Sequence, residues 1–410
     1  MQTSTILPTM ELSDRAKSIP PSITLAISAK VKELKAAGKD VIAFGAGEPD
    51  FDTPGKITDA AIEALTSGVT HYMPSSGTPE AREAIANKLR TENNIECTGA
   101  NISINAGAKM SINLALMSIL DPGKNQEVVV PTPAWVSYKP MIELAGGTMI
   151  EVSTTVETGF KCTPEEIEAA ITQNTKAIML NTPSNPCGTM YTPEELKAIA
   201  KMLERHPDIY ILSDEIYDKL IYSDIEHFSL GSIPKIAHQV ITINGLSKAY
   251  AMTGWRVGYA CAPENVAKAM NTLQSQINTS ITSFCYATIP VALGMKDEVE
   301  EMRQVFAKRA ALMFELIQKW PDVECAEPTG AFYAFPKISH YFGKTTPAGT
   351  TITDSVSFVE ALLDETMVAV VPGTDFGGCG PDHIRLSFAC SEDQIKTGVT
   401  KIHDWLCQIN

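Results

Sequence analysis

Residues 176–217 read KAIMLNTPSNPCGTMYTPEELKAIAKMLERHPDIYILSDEIY, and this stretch decides the fold. It opens on a short apolar run, 176–180, of a length and composition that suit a buried strand. A turn with two Asn and two Pro follows, from Asn181 to Gly188. Thr192-Pro193-Glu194-Glu195 then supplies a hydroxyl N-cap, a proline at the first helical position and a capping-box glutamate. Leu196, Ile199, Ala200 and Leu203 recur at helical spacing. A second apolar run, 209–212, ends at Ser213-Asp214-Glu215-Ile216-Tyr217. Strand, turn, helix and strand in so short a span make a βαβ unit, in which the crossover helix lets the two strands run parallel.

The same alternation continues in both directions. Strands are expected at 41–44, 102–104, 127–130, 148–152, 239–243 and 257–261. Thr78-Pro79-Glu80 and Thr163-Pro164-Glu165-Glu166 repeat the helix-opening device. The pattern predicts a mostly parallel sheet covered on both faces by helices. Ligands of such sheets gather outside the carboxyl ends of the strands, so the residues just after each apolar run are the candidates for chemistry. The last third differs. A long amphipathic helix is expected over 297–319, then strands at 331–335, 367–371 and 384–388, and helices near 355–365 and 392–407. This reads as a smaller α+β domain. The expected division is 53–296 for a large domain and 297–410 for the small one, with 1–52 packing against the latter because its helix, 24–37, precedes any strand of the large sheet.

At 410 residues the chain suits about two domains, and 44% hydrophobic with 20% charged residues reads as a soluble globular protein. The formal charge of −15 disfavours nucleic acid and anionic membrane as partners. The nine cysteines show no CxxC spacing and no accompanying histidine cluster, so reduced thiols in a cytoplasmic protein are expected rather than a metal site or a disulfide framework. The start has no basic-then-apolar signal pattern, and no apolar run is long enough to span a bilayer.

Four positions after strands stand out. Lys248 follows 239–243 among small residues, and Arg256 lies eight residues on, in Thr253-Gly254-Trp255-Arg256. A lysine held at a strand end can serve Schiff-base chemistry, and an arginine can grip a phosphate with two donors. Asp214 and Tyr217 follow 209–212, where they could meet a cationic ring nitrogen and a ring hydroxyl. Asn185 lies in the turn after 176–180 and could offer its amide to a ligand. Gly107-Ala108-Lys109 open a helix after 102–104, where backbone N–H groups can approach an anion. Singly, each has a plainer reading: a surface lysine, an N-cap aspartate, a rigid turn, a sharp corner. Gly45-Ala46-Gly47-Glu48-Pro49-Asp50 resembles a dinucleotide loop only superficially, because Pro49 falls where the helix should begin.

Together the segments GAGEPDFDTP, NTPSNPCGTMY, SDEIY, SKAYAMTGWRVGY and PGTDF occur in the order of a known family. The chain resembles the class I/II aminotransferases of pyridoxal-phosphate fold type I, with the closest look to the bacterial-type (Iβ) aspartate aminotransferases. The resemblance implies an α/β large domain with a mostly parallel seven-stranded sheet between helices, plus a smaller α+β domain. It implies pyridoxal 5′-phosphate as cofactor, no metal, and ping-pong transfer of an amino group between an amino acid and a 2-oxo acid. Aspartate with 2-oxoglutarate is the expected pair. Aromatic, alanine or prephenate/glutamate substrates, or a β- or γ-lyase reaction, are the alternatives.

By the same resemblance Lys248 carries the cofactor and shuttles the proton, Asp214 faces the pyridine nitrogen, and Tyr217 with Asn185 reaches the ring's phenolic oxygen. Trp135 stacks on the ring, Gly107, Ala108, Lys109 and Arg256 hold the phosphate, and Tyr72 reaches the phosphate of a neighbouring subunit, which implies a homodimer. Arg385 holds the substrate α-carboxylate, and Gly47, Trp135 and Asn185 also line the substrate side. Departures from the family pattern are Cys187 for a threonine, Gly245 for a hydroxyl residue three before the lysine, Ala134 for a tyrosine, and Met117 for a lysine that in some relatives meets the substrate's distal carboxylate, which weakens the case for a dicarboxylic substrate through that contact. No second arginine for a distal carboxylate is evident among the eight in the chain, and Thr24 is a further possible contact from the N-terminal segment.

Overall fold

The computed structural model describes residues 10–19 and 23–410. Among the described residues twelve strands occur in chain order: β1 (Ile42–Ala43), β2 (Ile102–Asn105), β3 (Glu127–Thr132), β4 (Thr148–Ser153), β5 (Thr175–Asn181), β6 (Tyr210–Asp214), β7 (Val240–Gly245), β8 (Gly258–Cys261), β9 (Tyr333–Ala334), β10 (Val368–Ala369), β11 (Val371–Pro372) and β12 (Ile384–Ser387). Seven of them form one sheet in the order β2-β8-β7-β6-β5-β3-β4. All neighbours in it run parallel except β8, which is antiparallel to both β2 and β7. Because β8 reverses against both, β2 runs in the same direction as β7. The carboxyl ends of β2, β3, β5, β6 and β7 therefore share one edge.

Side-chain alternation builds the layers. Val128 and Val130 of β3 pack with Leu116, Met141 and Met270 on one face, while Val129 packs with Leu196, Ile199 and Leu203 on the other. Toward the β2 edge, Ile102, Ile104, Tyr259 and Cys261 meet Ile57, Ile85, Leu89 and Ile289. The expected caps form: Glu195 N–H donates to Thr192 Oγ1 at 3.2 Å and Thr192 N–H to Glu195 Oε2 at 2.7 Å.

The run 41–44 stands apart from the large sheet: β1 pairs with β10, through Ile42↔Val368 and Ala43↔Ala369. Two expectations change. The run 367–371 divides into β10 and β11, whose partners differ, and 331–335 contracts to β9, which pairs with β12. The reason is tertiary. These apolar runs fill one core around helices Lys296–Ile317, Ser355–Thr366 and Glu392–Leu406 rather than extending a sheet. The helix Ile23–Ala36 is present, and the first strand ties this end of the chain to its last third. The nine cysteines are free thiols, five of them buried. Cys187 fills a pocket among Phe160, Phe335 and Phe376. No helix of the described residues is long and apolar enough to cross a membrane.

Candidate active site

The shared carboxyl edge gathers most of the candidate residues. Lys248, half-buried, follows β7, and its Nζ donates to the Gly47 carbonyl at 2.5 Å. Burial pushes its amine down to about 8, Arg385 and Arg256 press in the same direction, and Glu48 and Asp214 oppose them. Asp214 ends β6 and is buried. Its Oδ2 accepts from the Tyr138 hydroxyl at 2.6 Å and its Oδ1 from Ile216 N–H at 3.3 Å. Burial still lifts its carboxyl to about 6. Its backbone carbonyl accepts from Asn181 Nδ2 at 3.0 Å, and Asn181 Oδ1 takes the Asn185 N–H at 2.9 Å, so one asparagine ties the two loops.

Arg385 lies in β12 and is buried. Its guanidinium donates to Asn185 Oδ1 at 2.9 Å and to the Gly45 carbonyl at 3.3 Å, while its Nε is buried without a partner. Burial holds its proton affinity below the usual arginine value, yet the group stays cationic. Among the described residues it pairs with no carboxylate. A buried cation left this way calls for an anionic ligand.

On the other side, Gly107 caps helix Ala108–Ile119 at φ +82°, and a Cβ there would lie 2.3 Å from Arg256 Nη2. Gly258 is packed as tightly, since its Cβ would lie 2.1 Å from Ala108 N. Arg256, itself at φ +56°, donates to the Thr253 carbonyl at 2.7 Å. Lys109 has its amine pushed down by burial and by Arg256, and its Nζ stands 4.8 Å from the centroid of the Trp135 ring. The Arg256 guanidinium at this helix N-terminus, with no carboxylate beside it among the described residues, fits a phosphate. Trp135 meets Tyr138 edge to face at 5.4 Å.

Tyr217 is buried, with its hydroxyl 3.1 Å from that of Tyr333. Tyr72 does not join the cluster within one chain; it is 93% exposed. The side chain of Thr24 lies outside the described residues. Gly245 has a physical reason: a Cβ there would come within 2.9 Å of both Gly258 Cα and the Val257 carbonyl, so no hydroxyl side chain fits. Tyr138, Tyr333 and Asn181 escaped the sequence reading as site residues. Tyr138 stands three residues after Trp135, one helical turn on, which is the only signal that could have found it.

A mostly parallel sheet with a lysine of depressed proton affinity at its carboxyl edge, an arginine without a carboxylate partner among the described residues and a phosphate-fitting helix start define the class of fold-type-I transferases. The match extends to known proteins. The model of the aminotransferase class I and II family matches residues 39–402. The chain is 44% identical to the aspartate aminotransferase of Geobacillus stearothermophilus, over 97% of this chain and 99% of that one. It is 43% identical to the aspartate/prephenate aminotransferase of Cereibacter sphaeroides, over 95% and 97%. Among solved structures, the aspartate aminotransferase of Rhizobium meliloti superposes with a TM-score of 0.93 at 37% identity, over 98% of this chain and 100% of that one. That of Thermus thermophilus with maleate gives 0.89 at 40%, over 97% and 100%. The chain belongs to the class I and II aminotransferases and is a transaminase.

Proposed function

We propose that the protein transfers the amino group of aspartate to 2-oxoglutarate by a ping-pong mechanism, with pyridoxal 5′-phosphate held at the carboxyl edge of the sheet. The observation that carries this is the Lys248 amine, pushed down to about 8 and flanked by Asp214 and Arg385. When bound, the cofactor supplies the electron sink that stabilises the carbanion left by loss of the substrate's α-proton. Lys248 would hold the cofactor through its amine, and the same amine would take and return that proton; an affinity near neutrality suits both directions. Asp214, poised at about 6, holds a proton on the ring nitrogen by its negative charge, and Tyr138 keeps that carboxylate oriented.

Tyr217 and Asn185 would hold the ring oxygen, and Trp135 would pack against the ring. The N–H groups at Gly107, Ala108 and Lys109 hold the phosphate together with Arg256. Arg385 takes the α-carboxylate with two donors, and Gly47 lines the same side. Tyr72 completes the phosphate site of a neighbouring subunit, so the working form is a homodimer. Its 93% exposure in one chain supports that assignment. The nine free thiols support a reducing, cytoplasmic location. The domain limits proposed are 1–52, 53–296 and 297–410.

The acidic substrate is supported by Lys109. Its amine makes no ion pair among the described residues and faces Trp135, which leaves it available to a side-chain carboxylate while its backbone serves the phosphate. The relatives above named as aspartate aminotransferases support the same choice. Lys109→Met is predicted to lower kcat/KM for aspartate roughly tenfold or more while leaving alanine turnover little changed, as measured by initial rates with each donor. Equal losses for both donors would remove Lys109 from substrate recognition.

A further inference from the structure

We propose that Tyr333 is a positioning residue that links Arg385, the substrate-carboxylate arginine, to Tyr217, the ring-oxygen tyrosine. This rests on the roles proposed above. Tyr333 begins β9 and is 1% exposed. Its hydroxyl is 3.1 Å from that of Tyr217, and the Arg385 guanidinium lies over its ring, 4.7 Å from the centroid. A Cβ built on Gly47 would lie 3.7 Å from the same hydroxyl. One side chain thus contacts Tyr217 and Arg385 and lies beside the loop at Gly47 that faces Lys248. Its backbone is held from both directions: Tyr333 pairs with Ser387 of β12, and its carbonyl lies so near Gly188 that a Cβ there would approach to 2.1 Å.

The direction of the hydrogen bonds follows from counting protons. A phenol has one to give. If Tyr217 donates to the ring oxygen, its bond with Tyr333 must be donated by Tyr333. The chain then runs Tyr333 to Tyr217 to ring oxygen. A donor on the Tyr217 oxygen polarises its own O–H and strengthens the bond that it makes. Burial keeps both phenols protonated, which the chain requires. The Arg385 cation on the Tyr333 π-face draws electron density from the ring and makes its hydroxyl a better donor. A carboxylate docking on Arg385 weakens that pull. Occupancy of the substrate site therefore reaches the ring oxygen through a single side chain, without backbone movement.

Tyr333→Phe tests this with the loss of one oxygen, the ring staying packed on Phe332 at 4.7 Å. The full-length protein loaded with pyridoxal phosphate is titrated by visible absorbance, and the pH midpoint of the cofactor band is read. Weakening the donor to the ring oxygen makes the bound cofactor hold its proton more tightly, so the midpoint is expected to rise by roughly half a pH unit. Tyr217→Phe should raise it further, and the double variant should match Tyr217→Phe alone, because Tyr333 acts only through Tyr217. A Tyr333→Phe midpoint equal to that of the parent protein, or a double variant whose shift is the sum of the two, would overturn the link. A parent protein that shows no visible band would instead overturn the cofactor reading on which it rests, so the two failures are distinct.

Discussion

Asp214 and Lys248 are perturbed in opposite directions by one cause, burial of a charge, and each is relieved when the other's kind of charge arrives. The sign of the effect on stability is definite for Asp214. Its native affinity, about 6, lies above the 3.8 of an ordinary aspartate, so its contribution is fully present below pH 3.8 and is lost as the pH rises through 6. In the cofactor-free protein Asp214→Asn, which keeps an acceptor for Tyr138, should therefore be more stable than the parent at neutral pH by on the order of 3 kcal/mol. That advantage should fade between about pH 6 and 4. Denaturant midpoints at several pH values measure it; a difference independent of pH would show that Asp214 is not held at a raised affinity. At this scale the sequence was informative where a residue follows a strand directly. Lys248, Asp214 and Asn185 were legible for that reason. Tyr333 and Tyr138 were not, because their partners, Arg385 with Tyr217 and Asp214, are distant in sequence and meet only through packing.

Among the elements, the start of helix Ala108–Ile119 is the most constrained. Gly107 takes a left-handed conformation and leaves no room for a Cβ beside Arg256. Gly107→Ala should cost about 1–3 kcal/mol of backbone strain and displace the guanidinium. It is expected to raise the cofactor dissociation constant tenfold or more, read by equilibrium dialysis with fluorescence of the bound cofactor. Unchanged affinity would mean that this corner does not hold the phosphate. Elements with their own caps were readable in advance, as Thr78, Thr163 and Thr192 show, since a cap is a local device. The run 41–44 falls in the segment expected to pack with the last third, but its parallel pairing with β10, more than three hundred positions away, is one that no local pattern encodes.

Taken whole, the molecule ties its two ends together at the site. The segment from Phe44 to Asp50 joins strand pairing with β10, the Gly45 carbonyl on Arg385, the Gly47 carbonyl on Lys248 and a two-pronged bond from Arg309 to Asp50 at 2.6 and 3.0 Å. The substrate side is thus assembled from the first fifty residues and the last third around a sheet supplied by the middle. That division explains why the fold class was legible from repeated strand–helix units, whereas the substrate pocket, made of segments far apart in sequence, was not. Removal of the amino group of an acidic amino acid by this assembly, through a cofactor on Lys248, is tested without any oxo acid present. The protein is loaded with pyridoxal phosphate, single amino acids are added, and the visible spectrum is followed, with Lys248→Ala as control. Aspartate or glutamate should convert the cofactor band to that of pyridoxamine phosphate in stoichiometric amount, while the variant shows neither the starting band nor the conversion. A spectrum that stays unchanged while pyruvate or ammonia accumulates, or a variant that retains both band and turnover, would contradict it.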